Sequence, residues 1–374
     1  MGEYLKLIQN AQNAFAFLAF DKLNKGGGID HYDKDKGVYN INDTGKKIIG
    51  KSPHMITVFY LIEQAINKYT HVLLIGETGT GKELVAKALH YNSTRHRPLN
   101  NNYVIVNCSF HNKDLLSTEL FGYSRGAFTS ADPSGKIGAF EEAVDGTIVL
   151  DEIGDMTLDV QKTLLRVLEE RRFHRLGRGK DIDLSNTRVI ASTNKDLAEL
   201  VRIGEFREDL FYRLEQTVIC LPPLRERAGE DLKAIVEYFA GTSGFISDKI
   251  LEEIKSTNFP GNFRGLENII LRGKSLGFDQ ITDEVLAILI LYMKAQSYLL
   301  NGGSIGSNDL SIGQYGSEKD GHNGELPTLN VQELRDLALR RALEQTKGNK
   351  KKAARITGID FRTINRIIKR ETGS

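Results

Sequence analysis

The chain has 374 residues, of which 40% are hydrophobic, with 50 Lys and Arg against 49 Asp and Glu. That length predicts two or three domains around a real core, and the mix excludes a wholly disordered or fibrous chain. Cys108 and Cys220 form no C-x-x-C pair, which excludes an oxidised secreted scaffold. The longest apolar run, 285–293, is too short to cross a bilayer. The expectation is a soluble, cytoplasmic protein with no membrane partner.

Residues 1–47 are weakly patterned, with a Lys-Gly-Gly-Gly turn at Lys25, and stand as a short N-terminal segment of unclear role. They are too few for a full sensory domain. A helical pattern follows over 53–68. Short β-branched runs at 71–75, 103–108, 147–150, 188–192 and 216–221 then alternate with helical stretches. That alternation predicts a parallel sheet with crossover helices, an α/β subdomain over 48–229. A helical subdomain spans 230–300, broken at Phe259-Pro260-Gly261-Asn262. Over 301–328 Gly, Ser, Asn and Asp dominate, which reads as a flexible linker. Residues 329–374 are helical again.

Within the first run-and-helix unit, Gly76-Glu77-Thr78-Gly79-Thr80-Gly81-Lys82-Glu83 has the spacing G-x-x-x-x-G-K between a strand and a helix. Glycines let consecutive N–H groups turn in around phosphate oxygens, the helix N-terminus adds positive potential, and Lys82 adds a mobile cation. The run 147–150 ends in Asp151-Glu152, an acidic pair at the carboxyl end of a parallel strand, where α/β sheets bind ligands. Loop and pair together predict ATP binding, with Asp151 holding Mg2+ directly or through water and Glu152 polarising the attacking water. Asn107, and Thr193-Asn194, fall at two further strand ends. Either Asn can sense the γ-phosphate or orient the water, and the plainer account is a turn cap. Arg207 and Arg213, six apart, are candidate transition-state cations, and Arg264 in the helical subdomain can close on the phosphates, with surface ion pairing as the ordinary alternative for all three.

The charge is unevenly spread. Residues 347–374 hold nine basic residues against Asp360 and Glu371, a local +7, which leaves −6 on the other 346. A helix over 331–345 stops at Gly348-Asn349, a second covers 350–356, and a third starts at Asp360 or Phe361 after a turn at Gly358. Two short helices about a Gly turn predict a helix-turn-helix on double-stranded DNA. Arg362, Thr363, Asn365 and Arg366 lie where they can reach base edges, and Lys350, Lys351, Lys352 and Lys369 suit phosphates.

This string of motifs resembles the AAA+ module of sigma-54-dependent transcriptional activators, the bacterial enhancer-binding proteins, over about 48–288, and the terminal helices resemble their Fis-type helix-turn-helix. The most specific element is Gly126-Ala127-Phe128-Thr129-Ser130-Ala131, similar to the loop by which that family grips sigma-54 and which usually reads Gly-Ala-Phe-Thr-Gly-Ala. Leu221-Pro222-Pro223-Leu224-Arg225-Glu226-Arg227 and Phe259-Pro260-Gly261-Asn262-Phe263-Arg264 match as well. The resemblance implies an α/β AAA+ P-loop fold with a helical lid and a small all-α DNA-binding domain. It also implies ATP-driven remodelling of the sigma-54 RNA polymerase holoenzyme closed complex by a homo-oligomeric ring, typically a hexamer. Glu83 is then the usual end of the phosphate loop, and Asn107 restrains Glu152. Thr193 and Asn194 form the first sensor and Arg264 the second, while Arg207 and Arg213 reach a neighbouring subunit. Two positions depart from the pattern. Ser130 replaces a glycine and prefers φ < 0, and Gly265 stands where relatives often have Glu. The rival readings are a non-remodelling DNA-binding regulator with nucleotide as a switch, which Ser130 favours, and an AAA+ machine of replication or unfolding.

Overall fold

The computed structural model describes residues 7–10, 12, 29–66, 68, 70–93, 102–109, 113–127, 134–177, 180–241, 247–257, 259, 261–275, 286, 289–290, 343 and 348–351. The chain divides into two compact units, Met1–Asp231 and Leu232–Ser374.

The first unit opens with a small antiparallel sheet, β1 (Tyr32–Asp33), β2 (Val38–Asn40) and β3 (Lys47–Ile49), followed by helix α1 (Pro53–Ile66). Sequence patterning assigned no element to this stretch before the helix. Its anchor is Tyr39, fully buried and stacked on Phe59 of α1 at 5.0 Å between ring centroids. Such ring pairs add to the burial itself.

A five-stranded parallel sheet follows. Its strands are β4 (Val72–Ile75), β5 (Tyr103–Asn107), β6 (Thr147–Asp151), then, beyond a two-residue hairpin of β7 (Arg172–Phe173) and β8 (Ile182–Asp183), β9 (Arg188–Thr193) and β10 (Val218–Cys220). All five expected runs are strands, in the spatial order β10-β4-β9-β6-β5. The helices between them are α2 (Lys82–Tyr91), α3 (Lys113–Phe121), α4 (Ala139–Glu142), α5 (Leu158–Glu170), α6 (Leu197–Arg202) and α7 (Glu208–Leu214).

Alternation sorts the two faces. Leu73, Ile75, Ile148 and Leu150 join the cluster with Leu116, Leu164 and Leu210 of α3, α5 and α7. Val72, Leu74, Val149 and Ile190 join the other, with Phe59 and Ile62 of α1 and Val85 and Leu89 of α2. Both faces are covered, which is why the strands read as continuous apolar runs. From β4 the chain crosses to one side of the sheet and from β9 to the other. Ligands of open α/β sheets bind at the carboxyl ends of such a switch point.

The second unit continues α8 (Gly229–Ala240), which begins in the first, and adds α9 (Asp248–Ser256) and α10 (Asn262–Ser275). The 301–328 linker and nearly all of the terminal helices lie outside the described residues. Among the described residues no helix is long and apolar enough to cross a membrane.

Candidate nucleotide site

The phosphate loop leaves β4 and enters α2. Gly81 precedes the helix at φ 101°, a left-handed value that a side chain rarely adopts. At Gly76 a Cβ would meet Thr80 Oγ1 at 2.8 Å and Leu221 O at 3.2 Å, so the loop closes only around glycine. The Gly76 N–H donates to Thr193 O at 3.1 Å, which fastens the loop to the end of β9. Lys82 is buried and its Nζ donates to Gly76 O at 2.7 Å, with Glu77 O at 3.4 Å. Thr80 Oγ1 also donates to Glu77 O, at 2.8 Å. Glu83 turns to Lys87, one helical turn on. Arg225, just beyond β10, holds Glu77 through two bonds of 2.9 and 2.5 Å.

Asp151 and Glu152 end β6 beside that loop. One oxygen of Asp151 accepts from Ser192 Oγ at 2.5 Å, and the other has no hydrogen-bond partner among the described residues. Oxygen donors in ones and twos beside a polyphosphate are what Mg2+ takes, so these residues fit the ion. Among the described residues no group of three or more His, Cys, Asp or Glu could cage a metal. Glu152 sits at φ 53°, ψ 48°, a strained setting for a residue with a Cβ. Burial holds its carboxyl above the ordinary range against the pull of Lys82, and the charges of Asp151 and Asp155 add to the rise.

The flanking strand ends separate the two asparagines, Asn107 and Asn194, that residue type alone left open. Asn194 reaches the phosphate loop, its Nδ2 donating to Thr78 Oγ1 at 3.1 Å, while its N–H donates to Glu152 Oε2 at 3.3 Å. Thr193 is fully buried, and its hydroxyl accepts from the N–H of Lys195. Asn107 lies beside Asp151 in the sheet register, yet its Oδ1 accepts from Ser109 N–H at 2.8 Å. Among the described residues no hydrogen bond joins Asn107 to Glu152.

The remaining candidates are spread out. Arg207 caps α7 and grips Asp209 with bonds of 3.0 and 2.7 Å. Arg213, on the same helix, donates to Leu168 O at 3.0 Å. Arg264 is exposed on α10, in the second unit. In the loop resembling the sigma-54 contact, Gly126 (φ 74°) and Ala127 are described, whereas Phe128, Thr129, Ser130 and Ala131 lie outside. The base of that loop is tied down, because Tyr123 bridges to both Lys136 and Leu176. Of the DNA-directed residues, Lys350 and Lys351 start a helix after Gly348 (φ 79°). Lys352, Arg362, Thr363, Asn365, Arg366 and Lys369 lie outside the described residues. Sequence reasoning assigned no role to Ser192, Ser109, Asp155 and Lys195, none of which carries a spacing signal of its own, and marked Arg225 only as part of the Leu221–Arg227 match.

Residues 48–220 match the Sigma-54 interaction domain, and 338–370 match the family described as Bacterial regulatory protein, Fis family. The chain is 34% identical to the DNA-binding transcriptional regulator NtrC of Escherichia coli, over 97% of this chain and 81% of that protein. It is 44% identical to the nitrogen fixation protein VnfA of Azotobacter vinelandii over 63% of this chain. It is also 38% identical to the acetoin dehydrogenase operon transcriptional activator AcoR of Bacillus subtilis over 86% of this chain. It spans about half the length of the latter two, 45% and 50%. The crystal structure of NtrX from Brucella abortus in complex with ATP is similar with a TM-score of 0.55 at 27% identity, over 86% of this chain and 68% of that one.

Proposed function

The chain belongs to the sigma-54-dependent transcriptional activators, and from that premise we propose that it hydrolyses ATP to remodel the closed promoter complex of the sigma-54 RNA polymerase holoenzyme. The observation that carries this reading is the meeting of the phosphate loop, Asp151-Glu152 and Asn194 at one end of the parallel sheet. On ATP binding, Lys82 exchanges the carbonyls of Gly76 and Glu77 for phosphate oxygens, beside the N–H groups at the start of α2. Asp151, with Ser192 fixing one of its oxygens, would hold Mg2+, whose charge neutralises the triphosphate. Glu152 takes a proton from the attacking water as the new P–O bond forms and the β–γ bridging bond breaks, giving ADP and phosphate. Its raised proton affinity suits a base of this kind. Asn194 bridges Thr78 and Glu152 and so links loop occupancy to the base.

In this reading the +7 terminal segment binds double-stranded DNA upstream of the promoter. Protomers assemble as a homo-oligomeric ring, a hexamer, in the cytoplasm, and Gly126–Ala131 meets sigma-54. Purified sigma-54 holoenzyme on a supercoiled promoter tests the whole reading. Open complexes should form with ATP and fail to form with a non-hydrolysable analogue. ATP turnover without open complexes would instead establish a non-remodelling regulator, the reading that Ser130 favours.

A further inference from the structure

Directly after Glu152 the chain makes one 3-10 turn, Ile153–Asp155, which brings a second carboxylate back toward the strand ends. The Asp155 N–H donates to Glu152 O at 3.0 Å. One Asp155 oxygen accepts from Ser109 Oγ at 2.7 Å, and the other lies 2.5 Å from Lys195 Nζ. These partners come from opposite sides. Ser109 follows β5 and is the residue whose N–H occupies Asn107 Oδ1. Lys195 follows β9 and Asn194, and its own N–H is anchored on Thr193 Oγ1. In the sheet, β5 and β9 are the two neighbours of β6, so one carboxylate ties together the loops on both sides of Glu152.

The backbone adds a reason for such a tie. Glu152 is held at positive φ, a conformation that persists only when the surroundings over-determine it. The packing beneath is tight, since a Cβ on Gly154 would come 3.1 Å from Thr193 Oγ1. An exposed ion pair on an isolated helix would do little. This one closes a three-strand bracket around the base.

We infer that Asp155 is a positioning residue for ATP hydrolysis, which through Ser109 and Lys195 holds the Asn107 and Asn194 loops in place around Glu152. The inference rests on Glu152 being the proton acceptor proposed above.

The test is steady-state ATP turnover of the full chain for Asp155→Asn, Lys195→Met and the double variant, with Glu152→Gln as reference. Each single variant should lose about tenfold or more in kcat, with KM for ATP within about twofold. The double variant should lose no more than the worse single one, since the two share one contact. A merely structural role would lower the melting temperature and give native kcat at temperatures where the variant stays folded, and this result would overturn the inference. So would native kcat in Asp155→Asn, or losses that add in the double variant. If Glu152→Gln is inactive while Asp155→Asn is native, only the Asp155 role fails. If Glu152→Gln turns over at the native rate, the assignment of the base fails with it.

Discussion

Arg207 and Arg213 have the same side chain on the same short helix, and their surroundings divide their roles. Arg207 is partly exposed and held by Asp209, two residues on in its own first turn, a pairing that water can replace at little cost. In the proposed ring, its guanidinium is the one that could turn to another protomer's γ-phosphate. Arg213 is built into the fold. It donates to Leu168 O near the end of α5, and its Nε is buried with no hydrogen-bond partner among the described residues. It also neighbours His71, whose imidazole burial drives down to about 3, with the charges of Arg171 and Arg213 adding to the effect. A neutral histidine with both ring nitrogens enclosed belongs to an interior that tolerates no vacancy. Arg207→Ala should therefore lose about 10³-fold in ATP turnover or more at an unchanged melting temperature. Arg213→Ala should instead unfold several degrees lower. Calorimetry beside a turnover assay separates the two, and equal melting losses would remove the distinction.

Among the elements, helices α1 and α2 end on one buried side chain. Arg188, the first residue of β9, donates to Ala65 O at 2.8 Å, Ile66 O at 2.5 Å and Lys68 O at 3.0 Å after α1, and to Leu89 O at 2.6 Å in the last turn of α2. A cation at two helix C-termini satisfies carbonyls that have no partner within the helix. Burial lowers its proton affinity only to about 10, so it stays charged. Arg188→Met keeps the length and strands those carbonyls, and should destabilise the first unit by about 3–5 kcal/mol in urea melts. The N-terminal sheet rests on a different polar contact. Glu63 of α1 accepts from Tyr39 OH at 2.9 Å and from His31 Nδ1 at 2.7 Å. The bond to Glu63 raises the proton affinity of His31 above its ordinary 6.5. Its contribution to stability is therefore full below pH 6.5 and lost as pH rises through the raised value. The gap in melting temperature between the native chain and His31→Gln should accordingly shrink on going from pH 6 to pH 9, and a constant gap would refute the linkage.

These contacts also mark what the sequence could disclose. The central strands β4, β6 and β9 were legible because each is buried on both faces, and a run such as Val72-Leu73-Leu74-Ile75 needs no partner to be read. The edge strand β5 kept its β-branched run even with Ile105 exposed. The small sheet was not, since its strands have two or three residues and depend on Tyr39 meeting Phe59, twenty positions away. In the site, the phosphate loop and Asp151-Glu152 are contiguous and so carry their own signal. Ser192 on Asp151, Arg225 on Glu77, and Ser109 and Lys195 on Asp155 are brought together only by strand order, which spacing does not encode.

For the whole molecule, a net charge of +1 conceals −6 over residues 1–346 and +7 over the terminal segment 347–374. Opposite charges on one chain suit opposite tasks, because a basic surface concentrates polyanions wherever it lies. Removing residues 301–374 should therefore abolish DNA affinity and leave the nucleotide-binding elements of the first unit intact, since every contact described around Lys82, Asp151 and Glu152 lies before residue 232. A finer experiment asks how the basic segment binds. Lys350 and Lys351 open a helix directly behind the Gly348 turn, with Lys352 next in sequence. Lysines clustered there would neutralise phosphates and set no base preference. Each phosphate contact releases counterion, so the slope of log affinity against log salt changes by about 0.9 per contact. Reversing all three to Glu should thus weaken binding to every DNA sequence alike and flatten that slope by about 3, with ATP turnover unchanged. Fluorescence anisotropy on two unrelated duplexes across a salt series measures both quantities. An unchanged slope would place the phosphate contacts elsewhere in the segment, and a loss confined to one duplex would make these lysines readers of sequence.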